Sequence, residues 1–314
     1  MRHYSFFPGC SLEGTAKGYQ LSILEVAKAL EMDLVPVEDW NCCGSSAAAA
    51  IDGVASHCIA ARNLALAEKR GLELVTPCPS CYTVFKTVQA NLARYPQLAE
   101  RVGEALGPVV VPRREGPTPL PGPYRPYKPW LSIRHLLDVI VNDVGLDTIA
   151  SKRVRSLNGL KVACYYGCQV VRPWFTFDDP EFPNSLDRLV ETLGGVAVPF
   201  RFKARCCGAS LMLTARDVAL DAVRWIVDCA QEAGANCIAT LCPLCQTNLD
   251  AHQGYINRRL GTNYNVPVLF FTQLLGFALG ADLSALGLKT GIVSQEKVLL
   301  ASRTERAPGL RAVP

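Results

Sequence analysis

Residues 41–45 read NCCGS, and residues 201–208 read RFKARCCG. Two side-by-side cysteines followed by glycine thus occur twice in one chain. Adjacent Cα atoms lie about 3.8 Å apart, whereas a relaxed disulfide wants about 4.4–6.8 Å. Cys42 is therefore a poor partner for Cys43, and Cys206 for Cys207. Some other centre is expected to draw both thiols of each pair to one place.

The neighbouring cysteines extend the pattern. Cys10 precedes the first pair by 31 intervening residues, and Cys78-x-x-Cys81 follows it after 34. Cys168 precedes the second pair by 37 residues, and Cys242-x-x-Cys245 follows it after 34. Both closing motifs read C-P-x-C, as CPSC and CPLC. Agreement at five positions marks the chain as an internal duplication. The domain reading is 1–106 for the first copy, 107–131 for a proline-rich connector, 132–293 for the second copy and 294–314 for a C-terminal tail. The connector stretch GPVVVPRREGPTPLPGPYRPYKPW (107–130) carries eight prolines, which forbids a continuous helix. SIRHLLDVIVNDVG (132–145) reads as a helix leading into the second copy.

Each copy repeats one order of elements. A short apolar strand, HYSFF or LKVACYY, ends in Gly-Cys. A helix with apolar residues three and four apart follows, YQLSILEVAKALEM or SLDRLVETLGG, then a second strand, LVPVE or VAVPF. Cys-Cys-Gly opens a long helix, and a third strand, LELVT or CIATL, runs into C-P-x-C and another helix. Alternating strands and helices predict an α/β fold: two similar lobes, each a small parallel sheet flanked by helices. Ligands of such sheets collect beyond the carboxyl ends of the strands, where these ten cysteines fall. Helices opening after Cys43, Cys81, Cys207 and Cys245 would aim backbone N–H groups at thiolates.

Bulk properties narrow the classes. The chain has 314 residues, 49% hydrophobic and 19% charged, with a net charge of +4. No Lys/Arg run marks a nucleic-acid partner, and no signal peptide is visible. The apolar stretch VPVLFFTQLLGFALGA (266–281) is short for a span and reads as a core helix or subunit contact. A cytoplasmic chain is expected. Fourteen cysteines in a compartment that keeps thiols reduced point to metal or cluster ligation. Structural zinc takes four ligands and would leave a fifth cysteine idle in each set. An iron–sulfur group can use a bridging thiolate as well.

The two five-cysteine sets and their flanks, FFPGCSLEGT, DWNCCGSSA, KVACYYGCQVVRP and IATLCPLCQTNL, resemble the twin cysteine-rich (CCG) domains of the heterodisulfide reductase B-subunit family. The resemblance runs from about residue 3 to 293. It implies two non-cubane [4Fe–4S] clusters, one on Cys10, Cys42, Cys43, Cys78 and Cys81, the other on Cys168, Cys206, Cys207, Cys242 and Cys245. It implies reductive cleavage of a small disulfide, or the reverse thiol oxidation, with Cys43 and Cys207 as the catalytic ligands. It also implies two partner chains of a multi-component complex, an iron–sulfur protein that donates electrons and a flavin-containing protein that feeds it. The alternative within the same resemblance is electron transfer to or from quinone, at a membrane, or another reductase in a multi-subunit dehydrogenase complex. Gln169 stands where methanogen members often carry histidine, and ASLMLTARD (209–217) replaces their glycine-rich run. Both imply an acceptor other than the heterodisulfide of coenzymes M and B.

Outside the repeat, Cys58, Cys164, Cys229 and Cys237 read as inert buried thiols. The four histidines read as structural, and Trp40 as a shield for the first set. Arg172, Lys203 and Arg205 are the cations expected nearest the second set, as candidates for holding an anionic substrate.

Overall fold

The computed structural model describes residues 2–45, 48–110, 129–174 and 177–304. Most of the expected connector (111–128) and the last ten residues of the expected tail lie outside them.

The chain groups into two compact units. The first comprises residues up to Cys10 together with Met32–Leu136. Its sheet is β1 (Arg2–Phe6), β2 (Met32–Pro36), β3 (Leu74–Thr76) and β4 (Ile133–His135), in the order β2-β1-β3-β4, with every neighbour parallel. Leu74 and Val75 are wholly buried, as expected of a parallel sheet covered on both faces. The order reverses between β1 and β3, which opens a crevice beyond their carboxyl ends. β4 corrects the helical reading of 132–145: Ile133–His135 pair with Leu74–Thr76, and the helical turns begin only at Leu136. The open edge of β3 is satisfied by these three residues, and the buried His135 ring nitrogen bonds Pro77 O at 3.0 Å.

The second unit comprises Ser11–Glu31 and the chain from Leu137 on. Its sheet is β5 (Lys161–Tyr165), β6 (Val196–Ala197), β7 (Cys237–Thr240) and β8 (Val268–Phe270), in the parallel order β6-β5-β7-β8. The same topology therefore occurs twice. The stretch 266–281 holds β8 followed by a helix, Phe271–Ala278, whose eight residues are all buried. No helix among the described residues is long and apolar enough to cross a membrane.

The helices that matter here, in chain order, are α1 (Lys17–Ala29), α2 (Gly53–Glu68), α3 (Pro79–Arg94), α4 (Leu146–Lys152), α5 (Ser185–Thr192), α6 (Arg216–Glu232), α7 (Pro243–Ala251), α8 (Phe271–Ala278) and α9 (Gln295–Thr304). The expected first domain, 1–106, is broken by α1, which packs in the second unit. Tyr19 stacks on Phe270 with ring centroids 4.1 Å apart, and Ser22 Oγ meets Thr272 Oγ1 at 2.6 Å. Apolar burial on α8 outweighs sequence proximity. In the same unit α4, which lies before β5, packs against α5, which lies after it. The expected tail also begins as structure. α9 buries Gln295 and Leu299 completely, and Gln295 Nε2 donates to Val268 O at 2.8 Å.

Candidate functional site

In both copies the C-P-x-C motif is a helix start. Cys78 and Cys242 occupy the N-cap positions of α3 and α7 in extended conformation, with Pro79 and Pro243 at the first helical position. Proline suits that place because its φ is already helical and the N–H it lacks would be unpaired anyway. Thr76 and Thr240 close the turn behind, each hydroxyl taking the backbone N–H of its cysteine at 3.4 Å.

The adjacent cysteines come from the loops beyond β2 and β6. Helices do not open directly behind them as expected: Ala209–Leu211 is a single 3-10 turn, and the long helices α2 and α6 start at Gly53 and Arg216. The glycine of the second motif permits close packing, since a Cβ on Gly208 would sit 2.9 Å from the Ala219 backbone. Gly9 and Gly167 have a related role before Cys10 and Cys168. Their φ angles are +78° and +71°, and a Cβ there would lie 3.1 Å from Cys81 Sγ and 3.3 Å from Cys245 Sγ.

All ten expected residues are brought together, five within each unit. In the first, Cys42 and Cys10 sulfurs are 3.6 Å apart, and Cys43 and Cys81 sulfurs 3.3 Å. In the second, Cys207 and Cys245 are 3.4 Å apart, and Cys168 is hydrogen-bonded to Cys206. All are free thiols. The sulfurs approach in pairs, and among the described residues no three His, Cys, Asp or Glu side chains are set to enclose a single ion. Each set divides alike: Cys43, Cys78 and Cys81 are buried while Cys10 and Cys42 are exposed, and Cys207, Cys242 and Cys245 are buried while Cys206 is exposed.

Crowding splits the thiol acidities. The hydrogen bond with Cys81 brings Cys43 down to about 7, and Cys81 is pushed up by the same contact. Cys206 is held at about 6, chiefly by its hydrogen bond with Cys168 and also by the Gly208 N–H, 3.3 Å from its sulfur. Cys78 and Cys207 are likewise lowered by hydrogen bonds from Cys81 and Cys245. Burial, then the contact with Cys42, raises Cys10 to about 11. Each set thus mixes thiolates with proton-sharing thiols. A soft cation or cluster would complete such a set by displacing the shared protons.

The surroundings differ between copies. The first is walled by aromatics: Phe7 packs edge-on against Trp40 and Phe85 with centroids 5.2 and 4.8 Å apart. Trp40, expected as a shield for this set, packs edge-on against Phe7. In the second, Tyr165 Oη donates to Arg205 O at 2.6 Å, and Asn248 Nδ2 donates to Cys207 O at 2.8 Å. Two of the expected substrate cations are engaged within the chain. Lys203 pairs with Asp187 at 2.6 Å, and Arg172 with Glu181 at 3.1 Å and with Ala204 O. Arg205 lies over the Trp225 ring at 4.5 Å. Cys164, Cys229 and Cys237 are buried as expected, and Cys58 is half-buried.

Comparison with known proteins agrees with this picture. Residues 4–86 and 162–250 match the cysteine-rich domain family CCG. The 8-methylmenaquinol:fumarate reductase membrane anchor subunit of Wolinella succinogenes is 32% identical over 95% of this chain and 99% of its own length. The B subunit of the ferredoxin/F(420)H(2)-dependent CoB-CoM heterodisulfide reductase of Methanosarcina acetivorans is 28% identical over 99% of this chain and all of its own. A protein of Archaeoglobus profundus, named as similar to the heterodisulfide reductase B subunit, is 28% identical over 90% and 92%. A hypothetical protein from Helicobacter pylori shares the fold, with a TM-score of 0.69 at 14% identity over 93% of this chain and 52% of that one. With two cysteine-rich domains and full-length relatives of this kind, the chain belongs to the CCG family of heterodisulfide reductase B-like proteins.

Proposed function

We propose that this chain is the iron–sulfur subunit of a heterodisulfide reductase-like complex and acts on a small disulfide or thiol. The observation that carries the reading is the convergence of five thiols within each unit, beyond the carboxyl ends of a parallel sheet. The donor set fits: all-thiolate ligands select iron–sulfur groups or other soft metals. Cys10, Cys42, Cys43, Cys78 and Cys81 would hold one non-cubane [4Fe–4S] cluster, and Cys168, Cys206, Cys207, Cys242 and Cys245 the other. Such a group, when bound, supplies one-electron redox chemistry.

The protein's own part follows from burial. Cys43, Cys78 and Cys81, at 2%, 5% and 3% exposure, and their counterparts Cys207, Cys242 and Cys245 keep water from one side of each site. The exposed Cys42 and Cys206 mark the side from which a small sulfur compound approaches. Cys43 and Cys207 each sit between that open side and the buried C-P-x-C cysteine they touch, and are assigned as the catalytic ligands. Electrons would come from an iron–sulfur donor protein linked to a flavin protein.

The test is anaerobic purification followed by metal and sulfide analysis. About eight iron atoms and matching acid-labile sulfide per chain are expected from two four-iron groups; zinc alone would end the proposal. In the reconstituted complex, Cys207→Ala or Cys43→Ala must abolish disulfide reduction. The Wolinella relative supports a second reading, electron exchange with quinol in a fumarate or succinate reductase complex. That reading cannot use 266–281 to touch lipid, because α8 is buried. Parallel assays with a quinol analogue and with small disulfides separate the two.

A further inference from the structure

The duplication preserved the sulfurs but exchanged the side chains that hold them. In the second copy, three carbonyls of the loop carrying Cys206 and Cys207 are each taken by a side chain from elsewhere. Arg172 donates to Ala204 O, Tyr165 Oη to Arg205 O at 2.6 Å, and Asn248 Nδ2 to Cys207 O at 2.8 Å. Tyr165 is 0% exposed and Asn248 3%, so water cannot replace either donor cheaply. In the first copy, counting from Cys10 and Cys81, the matching residues are Phe7 and Val84, which have no donor. There the loop is fastened to α2 by Asn63, which takes the Asn41 N–H at 2.9 Å and donates to Asn41 O at 2.8 Å. Counted from the adjacent cysteines, the second-copy counterpart of Asn63 is Val227, which can do neither.

We infer that Tyr165 and Asn248 are positioning residues for the Cys206–Cys207 pair, that Asn63 is the positioning residue for the Cys42–Cys43 pair, and that each clamp governs only its own site. Resting on the iron–sulfur reading above, this makes the two sites separately tunable. One is closed by an aromatic wall and an asparagine of α2, the other by a tyrosine of β5 and an asparagine of α7. Outer partners of metal ligands set ligand placement and are commonly worth about 10–100-fold in metal affinity.

The experiment uses the full chain, purified anaerobically with its iron, and follows iron release to a ferrous chelator along with the low-temperature EPR spectrum. Tyr165→Phe and Asn248→Leu each delete one donor with little change in volume. Either is expected to accelerate release of one half of the iron by about tenfold or more, leave the other half at its wild-type rate, and alter one of two sets of EPR signals. Asn63→Leu is expected to accelerate the complementary half and alter the other set. A purely structural loosening would speed both halves together, and that result overturns the inference. So does a wild-type release profile in both Tyr165→Phe and Asn248→Leu. If Asn248→Leu fails to fold, Tyr165→Phe decides alone. Iron-free wild-type chain would instead overturn the functional reading on which the inference rests.

Discussion

At the scale of single residues, each cysteine set mixes acids of contrasting strength. Cys206 and Cys10 are both exposed, yet the first is drawn down to about 6 and the second raised to about 11. A lowered value means thiolate persists above about pH 6, and a raised one means thiol persists until about pH 11. Reduced, metal-stripped chain treated with iodoacetamide at pH 7.5 should therefore be alkylated at Cys206 before Cys10. The preference should fade as the pH falls through 6 and Cys206 is protonated; peptide mass spectrometry reads both sites. Gly9 and Gly167 carry a second prediction. Alanine there must adopt a positive φ, at a cost of about 1 kcal/mol or more, and presses a methyl group on Cys81 or Cys245 Sγ. Gly167→Ala should fold with a lowered melting midpoint and retain less iron than wild type. The ten sulfurs were legible in the sequence because a duplicated motif announces itself. Tyr165, Asn248 and Asn63 were not, since tyrosine and asparagine read as ordinary polar positions. Aligning the copies would have exposed them, at Phe7 against Tyr165 and Val84 against Asn248.

At the scale of elements, α1 shows how strongly close packing can fix a helix. A Cβ on Gly18 would lie 2.7 Å from Gly287 O and 2.6 Å from Thr290 Oγ1. Gly18→Ala gains helix propensity but cannot be accommodated without moving the 287–290 turn. Overpacking of this kind costs about 1–3 kcal/mol, so thermal unfolding of the variant should begin several degrees lower despite the better helix former. Two strands escaped sequence reading. Ile133–His135 and Val268–Phe270 supply three residues each, too few to show a two-residue period, and each runs straight into a helix. Their identity as strands is a property of the sheet edge that receives them. The buried glutamines escaped for another reason. Gln246, Gln253, Gln273 and Gln295 are each buried and bonded to backbone carbonyls, which hydropathy alone assigns to the surface.

At the scale of the whole molecule, the sequence boundary and the structural boundary disagree. The duplication divides the chain near the proline-rich connector, whereas compactness assigns Ser11–Glu31 to the second unit. Expressed apart, residues 1–110 and 130–304 should each be prone to aggregate, because the first carries Tyr19 and Ile23 without Phe270 and the second the converse. Co-expression should recover soluble material that elutes as a single species on gel filtration. Separate, stable, monomeric halves would contradict the assignment of α1. That same helix bears on ancestry. In the second copy the matching helix, α5, lies beside β5 and β6 of its own unit, so a lone ancestral copy had a seat for its helix, and the first copy's helix gained its present host only when two copies came to share one polypeptide.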